Sequence, residues 1–393
     1  MQKLWEKQGK TLDAKVEAFT VGKDFLLDME LLEEDCLVNE AHAKALAKAK
    51  IISWHEFEEI KKALEELKGK AVEGKFGIMP GQEDIHTAVE NFLTEKLGAT
   101  GKKIHAGKSR NDQIAADLLL YSKKKLSELQ EKTACLAAEL EKFAEKHKST
   151  KMPGYTHSRK AMPSTMGIWA GSFADSLKDD IKLMESLKEW INKSPMGAAA
   201  GYGTSLALDN EMVAKQLGFA KTQENPLYAI NSRGKYESTV LFALCELMLS
   251  LNKLASDIII FSGEHFGFLE LPEEICTGSS IMPHKKNPDV FEILRAKNAE
   301  MQSYLFHSLA NQNSLPSGYN RDSQLGKKPL MEGFALAEEC VGIALHVFPK
   351  IEVNEENCAK AISEGMLSAE KATAMAKKGV PFREAYKKAS ETG

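Results

Sequence analysis

QIAADLLLYSKKKLSELQEKTACLAAELEKFAEKH, residues 113–147, is a long helical pattern near the middle of the sequence. Its apolar residues recur at three- and four-residue spacing, which is typical of one face of an α-helix. At 1.5 Å per residue the segment would extend roughly 50 Å. A helix of this length is typical of a helix bundle and not of a packing element in a small globule. The stretch therefore predicts an all-α protein.

Other helical patterns lie on both sides of it. One runs from Asp24 to Leu67, and a second opens at Pro163, which is well placed for a helix first turn. The segment 238–261 is apolar almost all round, which indicates burial on every side in a bundle or an oligomer. A further run covers residues 328–348, and no alternating strand pattern is apparent anywhere.

The loop at residues 278–288, GSSIMPHKKNP, separates two of these helices. Its glycine and prolines forbid a regular helix, and Asn287 and Pro288 suit the N-cap and first turn of the helix that follows. A hydroxyl pair, a cation and an amide in one loop suit an anionic ligand, because Lys285 could neutralise a carboxylate and backbone N–H groups could cradle it. The alternative is a solvated turn.

Composition excludes several classes of protein. Of the 393 residues 43% are hydrophobic and 27% are charged, with a net charge of −4, which gives no support for binding nucleic acid or a membrane surface. The six cysteines form no C-x-x-C pair, as in a reduced protein with structural thiols. The N-terminus lacks an apolar signal core. We therefore expect a cytoplasmic protein.

Polar clusters interrupt the helical patterns at several points. Arg110, Lys285 and Lys327 could hold anions, while His157 and Ser279 could transfer protons. Polar loops at bundle ends are normally only connectors, so this mixture of residue types is what favours a function. The sequence contains neither an H-E-x-x-H zinc motif nor a G-x-S-x-G hydrolase motif.

These loops carry a family resemblance. Residues 278–288 resemble the signature loop of the fumarase/aspartase superfamily, G-S-S-x-M-P-x-K-x-N-P. HAGKSRND (105–112), MPGYTH (152–157) and YNRDSQLGK (319–327) are similar to segments of the argininosuccinate lyases, related to delta-crystallin. The match runs nearly end to end, with the order of motifs retained. Fumarases and adenylosuccinate lyases share the signature loop but differ in the first two of these three segments.

The resemblance implies a three-domain fumarase/aspartase-type fold. Its parts would be an N-terminal helical domain at 1–104, a central long-helix bundle at 105–353 and a short C-terminal helical domain at 354–393. Relatives continue with further helices, so the third domain is expected to be truncated. The resemblance also implies a homotetramer in which loops of three subunits build each active site.

Site residues follow by position in the matched motifs. Ser279 corresponds to the catalytic serine, His157 to its histidine partner, and Lys285 to a cation of the same loop. One departure concerns Asp24, which stands where many members have a serine that touches substrate. The positions expected to bind substrate, or to flank those that do, are Ser109, Arg110, Asn111, Thr156, Asn287, Tyr319, Gln324 and Lys327.

The implied reaction is the reversible elimination of argininosuccinate to arginine and fumarate, in the biosynthesis of arginine. A serine base on a mobile loop would remove a proton, and nearby cations would stabilise the resulting aci-carboxylate. We expect no metal and no organic cofactor. Two alternatives remain open: another superfamily lyase acting on adenylosuccinate, aspartate or fumarate, and a non-enzymatic structural protein of the crystallin kind.

Overall fold

The structure, a computed structural model, describes residues 13–79 and 82–390. The N-terminal residues 1–12, in which no apolar signal core was found, lie outside this part of the chain. The described helices are α1 (Ala14–Val21), α2 (Asp24–Asp28), α3 (Leu32–Lys48), α4 (Trp54–Val72), α5 (Ile85–Leu97), α6 (Ala99–Lys102), α7 (Arg110–Lys146), α8 (Met166–Trp190), α9 (Asn210–Gln216), α10 (Pro226–Asn231), α11 (Lys235–Ser262), α12 (Asp289–Ala310), α13 (Lys327–Val347), α14 (Glu355–Lys360), α15 (Ser368–Lys377) and α16 (Phe382–Ser390).

Strands are few and short. They are β1 (Lys151–Thr156), β2 (Arg159–Thr165), β3 (Lys193–Ser194), β4 (Lys221–Thr222), β5 (Leu269–Glu270) and β6 (Glu352–Val353). They form three two-stranded sheets, of which β3–β4 is parallel and the other two are antiparallel. The all-α prediction is confirmed. Within the described ranges, no helix has the length and hydrophobicity that crossing a lipid bilayer demands.

The chain divides into two compact units. Unit 1 comprises 1–127, 184–242 and 303–334, and unit 2 comprises 128–183, 243–302 and 335–393. Every boundary between the units falls inside one of the long helices α7, α8, α11, α12 and α13. The three-domain division at residues 104 and 353 is a different description of the chain and stays a prediction.

Helices α3, α4 and α5 pack around one apolar cluster of unit 1. Leu46, Ile60, Leu64, Leu67 and Leu93 are fully buried or nearly so in it. Helix α4 starts at a capping box, in which the Ser53 hydroxyl accepts from Glu56 N and the Glu56 carboxylate accepts from Ser53 N. The cap begins a separate helix within the helical pattern predicted from Asp24 to Leu67: the structure has α2, α3 and α4 there, with a turn after α3.

In unit 2 the strands β1 and β2 form a hairpin that the sequence analysis missed. Pro163 pairs with Pro153 in this hairpin and does not open a helix, contrary to the prediction. The actual cap of α8 is Thr165, whose hydroxyl accepts from Ile168 N at 3.1 Å. The start of α12 was also predicted one residue early, because Asn287 is drawn into a bridge with Thr277 and Pro288 supplies the first helical carbonyl.

The long helices were predicted well. Helix α7 covers Arg110–Lys146, α11 covers Lys235–Ser262 and α13 covers Lys327–Val347. In the single chain Phe242, Leu249 and Ile260 of α11 are 45%, 42% and 48% exposed, so burial of this helix on every side would need an oligomer and stays a prediction.

Candidate functional site

Unit 1 contains a polar cavity of about 300 Å³. Its wall comes from segments far apart in sequence: the start of α2, the turn before α5, the start of α7 and the residues before α13. The lining residues are Asp24, Asp28, Glu83, Asp84, His86, Arg110, Asn111, Ile114, Arg233, Tyr319, Arg321, Gln324 and Lys327. The cavity therefore brings together five residues predicted for the site, Arg110, Asn111, Tyr319, Gln324 and Lys327.

Lys327 begins α13 and is buried with its charge. Its ammonium group lies 2.7 Å from Asp24 Oδ2 and also contacts Asp28 Oδ1. Burial alone would lower the pKa of Lys327, but Asp28 and Asp24 outweigh it and raise that pKa. Lys327 was expected to hold a substrate anion, and in the structure two carboxylates already occupy it.

Arg110 occupies the first turn of α7 and binds two carboxylates of the α5 turn. Its Nη1 donates to Glu83 at 2.9 Å and also to Asp84. Burial would raise the pKa of Asp84, but His86, Arg110 and Thr87 lower it to about 2. Asp84 also caps α5 by accepting from Thr87 N at 2.8 Å. Ion pairs thus hold the turn before α5 against the start of α7, and both segments line the cavity.

Asp112 anchors the loop that carries Ser109 and Asn111. Its carboxylate accepts from Ser109 N at 2.8 Å, Gly197 N at 3.2 Å and Ala199 N at 2.8 Å. Burial raises the pKa of Asp112 to about 6 despite these three donors. The Ser109 hydroxyl in turn accepts from Asn111 N at 3.2 Å. The loop after α8 that contains Gly197 and Ala199 therefore supports the loop at the start of α7.

A buried cluster of Asp35, His86 and Asp117 lies on α3, α5 and α7. His86 Nδ1 is 2.6 Å from Asp35 Oδ1 and 3.7 Å from Asp117 Oδ2. Burial would lower the pKa of His86, but Asp35 and Asp117 outweigh it and raise that pKa to about 9. Burial, with Asp35 beside it, raises the pKa of Asp117 well above its ordinary value.

The same three side chains offer ligand atoms within 4.8 Å of one another, as a metal site would. The 2.6 Å contact between His86 and Asp35 is a hydrogen bond, so the imidazole would have to release that proton before a metal could bind. A protonated His86 between the carboxylates of Asp35 and Asp117 accounts for the observed geometry without a metal.

In unit 2, His157 lies at the tip of the β1–β2 hairpin. Thr156 pairs with Arg159, so His157 and Ser158 form a two-residue turn. Their φ angles are 52° and 58°, a left-handed conformation that Asn-Gly adopts easily and His-Ser does not. Residues whose backbone is held in such a strained conformation often lie at functional sites. Thr156 and His157 are both exposed here.

The signature loop, also in unit 2, is closed by hydrogen bonds between its two ends. Thr277 N donates to Asn287 O at 3.1 Å, Asn287 N donates to Thr277 O at 2.8 Å, and Asn287 Nδ2 donates to Gly278 O at 3.2 Å. Ser279 Oγ accepts from Ile281 N at 3.3 Å and Met282 N at 3.1 Å. Two backbone donors on one hydroxyl oxygen favour its deprotonated form.

Not every predicted site residue is in contact with another. Within the described part of unit 2, no hydrogen bond connects His157 with Ser279, and the Lys285 side chain is exposed. Sequence reasoning missed several residues that line the cavity: Asp28, Glu83, Asp84, His86, Arg233 and Arg321. The signal for Asp28 was its i+4 spacing from Asp24, which puts both carboxylates on one helix face.

Comparison with known proteins gives the family. A family model described as lyase matches residues 6–302. The chain is 44% identical over 390 residues to an argininosuccinate lyase of Thermotoga neapolitana, covering 99% of this chain and 98% of that protein. It belongs to the argininosuccinate lyase family. An argininosuccinate lyase of Phocaeicola vulgatus is 42% identical over 387 residues, which is 98% of this chain and 86% of the relative.

Solved structures resemble this family member in fold. A crystal structure of EDDS lyase in complex with formate gives a TM-score of 0.79 at 22% identity, covering 97% of this chain and 76% of that one. A class II fumarase from Schistosoma mansoni gives 0.78 at 17% identity, covering 97% and 92%. The fold is thus that of the fumarase/aspartase superfamily, as predicted.

The His86 cluster predicts how stability depends on pH. A group whose pKa is higher in the folded state stabilises the fold below its unfolded pKa, and this contribution is lost as pH rises through the folded value. For His86 the window runs from about 6.5 to about 9, over which the free energy of unfolding should fall by about 2–4 kcal/mol. Urea unfolding at several pH values measures this fall.

Two variants make the pH measurement specific. His86→Gln should remove most of the decline between pH 6.5 and 9. His42→Asn is the matched control, because burial and Lys108 lower the pKa of His42 to about 3, so this histidine is uncharged in that window. If the decline survives in His86→Gln, another group causes it.

Proposed function

We propose that this chain is an argininosuccinate lyase, a C–N lyase that reversibly splits argininosuccinate into arginine and fumarate in the biosynthesis of arginine. The observation that carries the proposal is 44% identity to an argininosuccinate lyase over nearly the full length of both chains. The retained order of the HAGKSRND, MPGYTH and signature-loop segments supports it. The polar cavity of unit 1, which contains five of the predicted site residues, is where we propose that part of the substrate binds.

The reaction requires a base at one carbon and an acid at one nitrogen. A base takes the Cβ proton of the succinyl part, and the electrons that are freed form first an aci-carboxylate and then the C=C bond of fumarate. The bond from carbon to the guanidino nitrogen breaks, and that nitrogen takes up a proton to give arginine. Extra negative charge builds up on the carboxylate, so cations and N–H donors must already surround it.

Ser279 is our candidate base. The donors from Ile281 N and Met282 N would stabilise its alkoxide, as would the charge of Lys285 if the loop closes on substrate. Asn287 Nδ2 donates to Gly278 O and so joins the two ends of the loop. This contact fits a role for Asn287 in shaping the loop as well as in binding. No metal and no organic cofactor has a part in this mechanism.

His157 and Thr156 would act from the hairpin tip. The left-handed turn directs this histidine outward, where it could orient a substrate carboxylate or protonate the leaving nitrogen. Ser109, Arg110, Asn111, Tyr319, Gln324 and Lys327 would bind or support the substrate from unit 1. In the proposed assembly, loops of different subunits would complete each site.

We further propose a homotetramer in which three subunits contribute to each site. Its support is a stripe of exposed apolar side chains on α11, Phe242, Leu249 and Ile260. Positions 242 and 260 are separated by five helical turns at about 3.6 residues per turn, so they lie on the same face, and position 249 is close to it. Packing against other copies would cover this stripe.

The cytoplasm is the compartment we propose. All six cysteines are free thiols, and Cys36, Cys245, Cys340 and Cys358 are buried. Thiols kept reduced in this way suit a reducing compartment.

Release of fumarate tests the activity. Argininosuccinate, adenylosuccinate and aspartate are offered side by side, and fumarate is followed by its ultraviolet absorbance. We expect turnover of argininosuccinate alone. Preference for adenylosuccinate or aspartate would assign the chain to another superfamily lyase. No release from any of the three would contradict the proposal and leave a fumarase or a structural protein of the crystallin kind.

Ser279→Ala tests the base. Turnover should fall by at least about two orders of magnitude, the usual contribution of a positioned proton-transfer group. Substrate binding by calorimetry should persist, because Asn111, Asn287 and Lys285 remain. Lys285→Ala should weaken both binding and turnover.

Ser280→Ala is the matched control for that experiment, since it removes a neighbouring hydroxyl from the same loop. It should reduce turnover less than Ser279→Ala does. Circular dichroism should show an unchanged fold for all three variants, because the loop is exposed. Near-normal turnover in Ser279→Ala would move the proton transfer elsewhere, with His157 as the first candidate.

Mixing of inactive variants tests the shared site. Asn111→Leu and Ser279→Ala, dissociated together and reassembled, should recover up to about a quarter of wild-type activity, because random tetramers contain some sites built from intact loops of different chains. Ser279→Ala mixed with Lys285→Ala should recover none, since both changes lie in one loop. An active monomer by light scattering would contradict the model.

A further inference from the structure

A second pocket lies in unit 2, beside the β1–β2 hairpin. Its volume is about 690 Å³, which is within the usual range for small-molecule sites. Its wall comes from the hairpin, the turn that follows α11 and the short helix α14. The described lining does not include Ser279, His157 or Lys285. The mechanism proposed above therefore leaves this pocket without a role.

Cations border the pocket from two of these segments. Arg159 and Lys160 belong to β2, and Lys360 is the last residue of α14. Glu264 is the only carboxylate in the described lining. The chain as a whole has a net charge of −4, so the charge at this pocket is opposite in sign to that of the molecule. A pocket lined by charge of one sign attracts a ligand of the other sign, here an anion.

Two of these cations have no carboxylate partner among the described residues. The Arg159 side chain forms neither an ion pair nor a hydrogen bond within the described part of the chain. Lys160 Nζ donates to Ala361 O, a neutral carbonyl, at 2.6 Å. Lys360 does contact Glu356, but both side chains are exposed, and such pairs contribute little. Arg159 and Lys160 can therefore take up an anion without losing a buried ion pair.

Aromatic rings form an apolar part of the same wall. The ring centroids of Tyr155 and Phe266 lie 5.6 Å apart, and those of Phe266 and Phe268 lie 5.5 Å apart, both in edge-to-face arrangements. All three residues line the pocket. Such rings offer a large apolar contact surface to a flat ligand group. The wall thus combines cations with an aromatic surface, and a bare inorganic anion would use only the cations.

The charge and geometry of the cations favour a phosphate over a carboxylate. A carboxylate brings one negative charge, whereas a phosphate monoester brings about −1.5 to −2 near pH 7, with three acceptor oxygens. Arg159 supplies a planar guanidinium that can bind two of those oxygens at once, and Lys160 supplies a second charge next to it. Two cations without a carboxylate partner therefore match one phosphate monoester.

We propose that this pocket binds a small organic phosphate, in which a phosphate monoester is attached to a flat ring. The phosphate group contacts Arg159 and Lys160, and the ring lies against Tyr155 and Phe266. Such a molecule is neither a substrate nor a product of the proposed reaction. The pocket is therefore an effector site.

A ligand in this pocket would act on the turn that carries His157. Arg159 pairs with Thr156 to close that turn, and Ser158 of the turn lines the pocket. A phosphate held by the hairpin and by Lys360 of α14 would join the two segments. It would thereby restrict a turn whose left-handed residues are costly to hold in place. This effect on catalysis rests on the proposed function, whereas the binding does not.

Calorimetry with three probes tests the binding. The probes are 1-naphthyl phosphate, 1-naphthol and inorganic phosphate, so that the first has both chemical parts and each of the others has one. Wild type should bind 1-naphthyl phosphate at least about tenfold more tightly than either of the others, the gain expected of one charge-assisted hydrogen bond. Equal affinity for 1-naphthyl phosphate and one of the other two probes would overturn the inference.

The same titration in the presence of saturating arginine and fumarate separates this pocket from the catalytic site. Both compounds are products of the proposed reaction and occupy that site. Binding of 1-naphthyl phosphate should persist, because its contacts lie elsewhere. Displacement of 1-naphthyl phosphate by the two products would show that it binds at the catalytic site, and would contradict the proposal.

Three variants make the measurement specific. Arg159→Gln should weaken binding of 1-naphthyl phosphate by about tenfold, and Arg159→Lys should restore only part of this loss, because lysine cannot form the bidentate contact. Lys142→Gln is the matched control for loss of one positive charge, since Lys142 is 71% exposed on α7, and it should bind as wild type does. Thermal unfolding should be unchanged in all three, because the substituted side chains are exposed. Equal affinity of wild type and Arg159→Gln would refute the site.

Failure of the proposed function and failure of this inference look different. Wild-type protein that releases no fumarate from argininosuccinate, yet binds 1-naphthyl phosphate through Arg159, would refute the function alone. In active protein, saturating 1-naphthyl phosphate should raise kcat by about twofold or more, since it steadies the turn of His157. Arg159→Gln should lose this rise and keep the basal kcat. An unchanged kcat in wild type would overturn the effector role.

Discussion

The buried charge of Lys327 constrains the whole arrangement of unit 1. An ammonium group that is nearly inaccessible to solvent must meet opposite charge, since removing it from water without a partner costs several kcal/mol. Asp24 and Asp28 meet that need, and they come from a segment about 300 residues earlier in the chain. The contact holds the short helix α2 against the start of α13, and both segments line the cavity.

Several other charged groups of this unit are also buried beside a partner. Arg110 has two carboxylates, His86 lies between Asp35 and Asp117, and the three donors on Asp112 join loops that are distant in sequence. Groups of this kind are costly to bury singly and stable when each has its partner. The cavity is therefore built by ion pairs and backbone donors, whereas the adjoining cluster of α3, α4 and α5 is held by apolar packing.

The sequence was most informative where a pattern is local. Three- and four-residue spacing predicted α7, α11 and α13 nearly to their ends, and the motif loops pointed to Arg110, Asn111, Tyr319, Gln324 and Lys327, which the cavity brings together. The hairpin was missed because Pro153 and Pro163 interrupt any alternating pattern, and a proline before a helical run suggests a helix start. The partners of Lys327 and His86 could not be predicted, since both are long-range and polar residues are usually exposed.

The turn at His157 and Ser158 has a consequence for how this protein would respond to selection. A two-residue turn of this geometry favours glycine at its second position. Ser158 adopts φ 58° there, which costs conformational energy. A screen that rewards heat resistance alone would favour glycine at this position. If His157 acts in catalysis as proposed, a more flexible turn would hold it less firmly, so thermal tolerance and activity would be opposing traits at the tip of this hairpin.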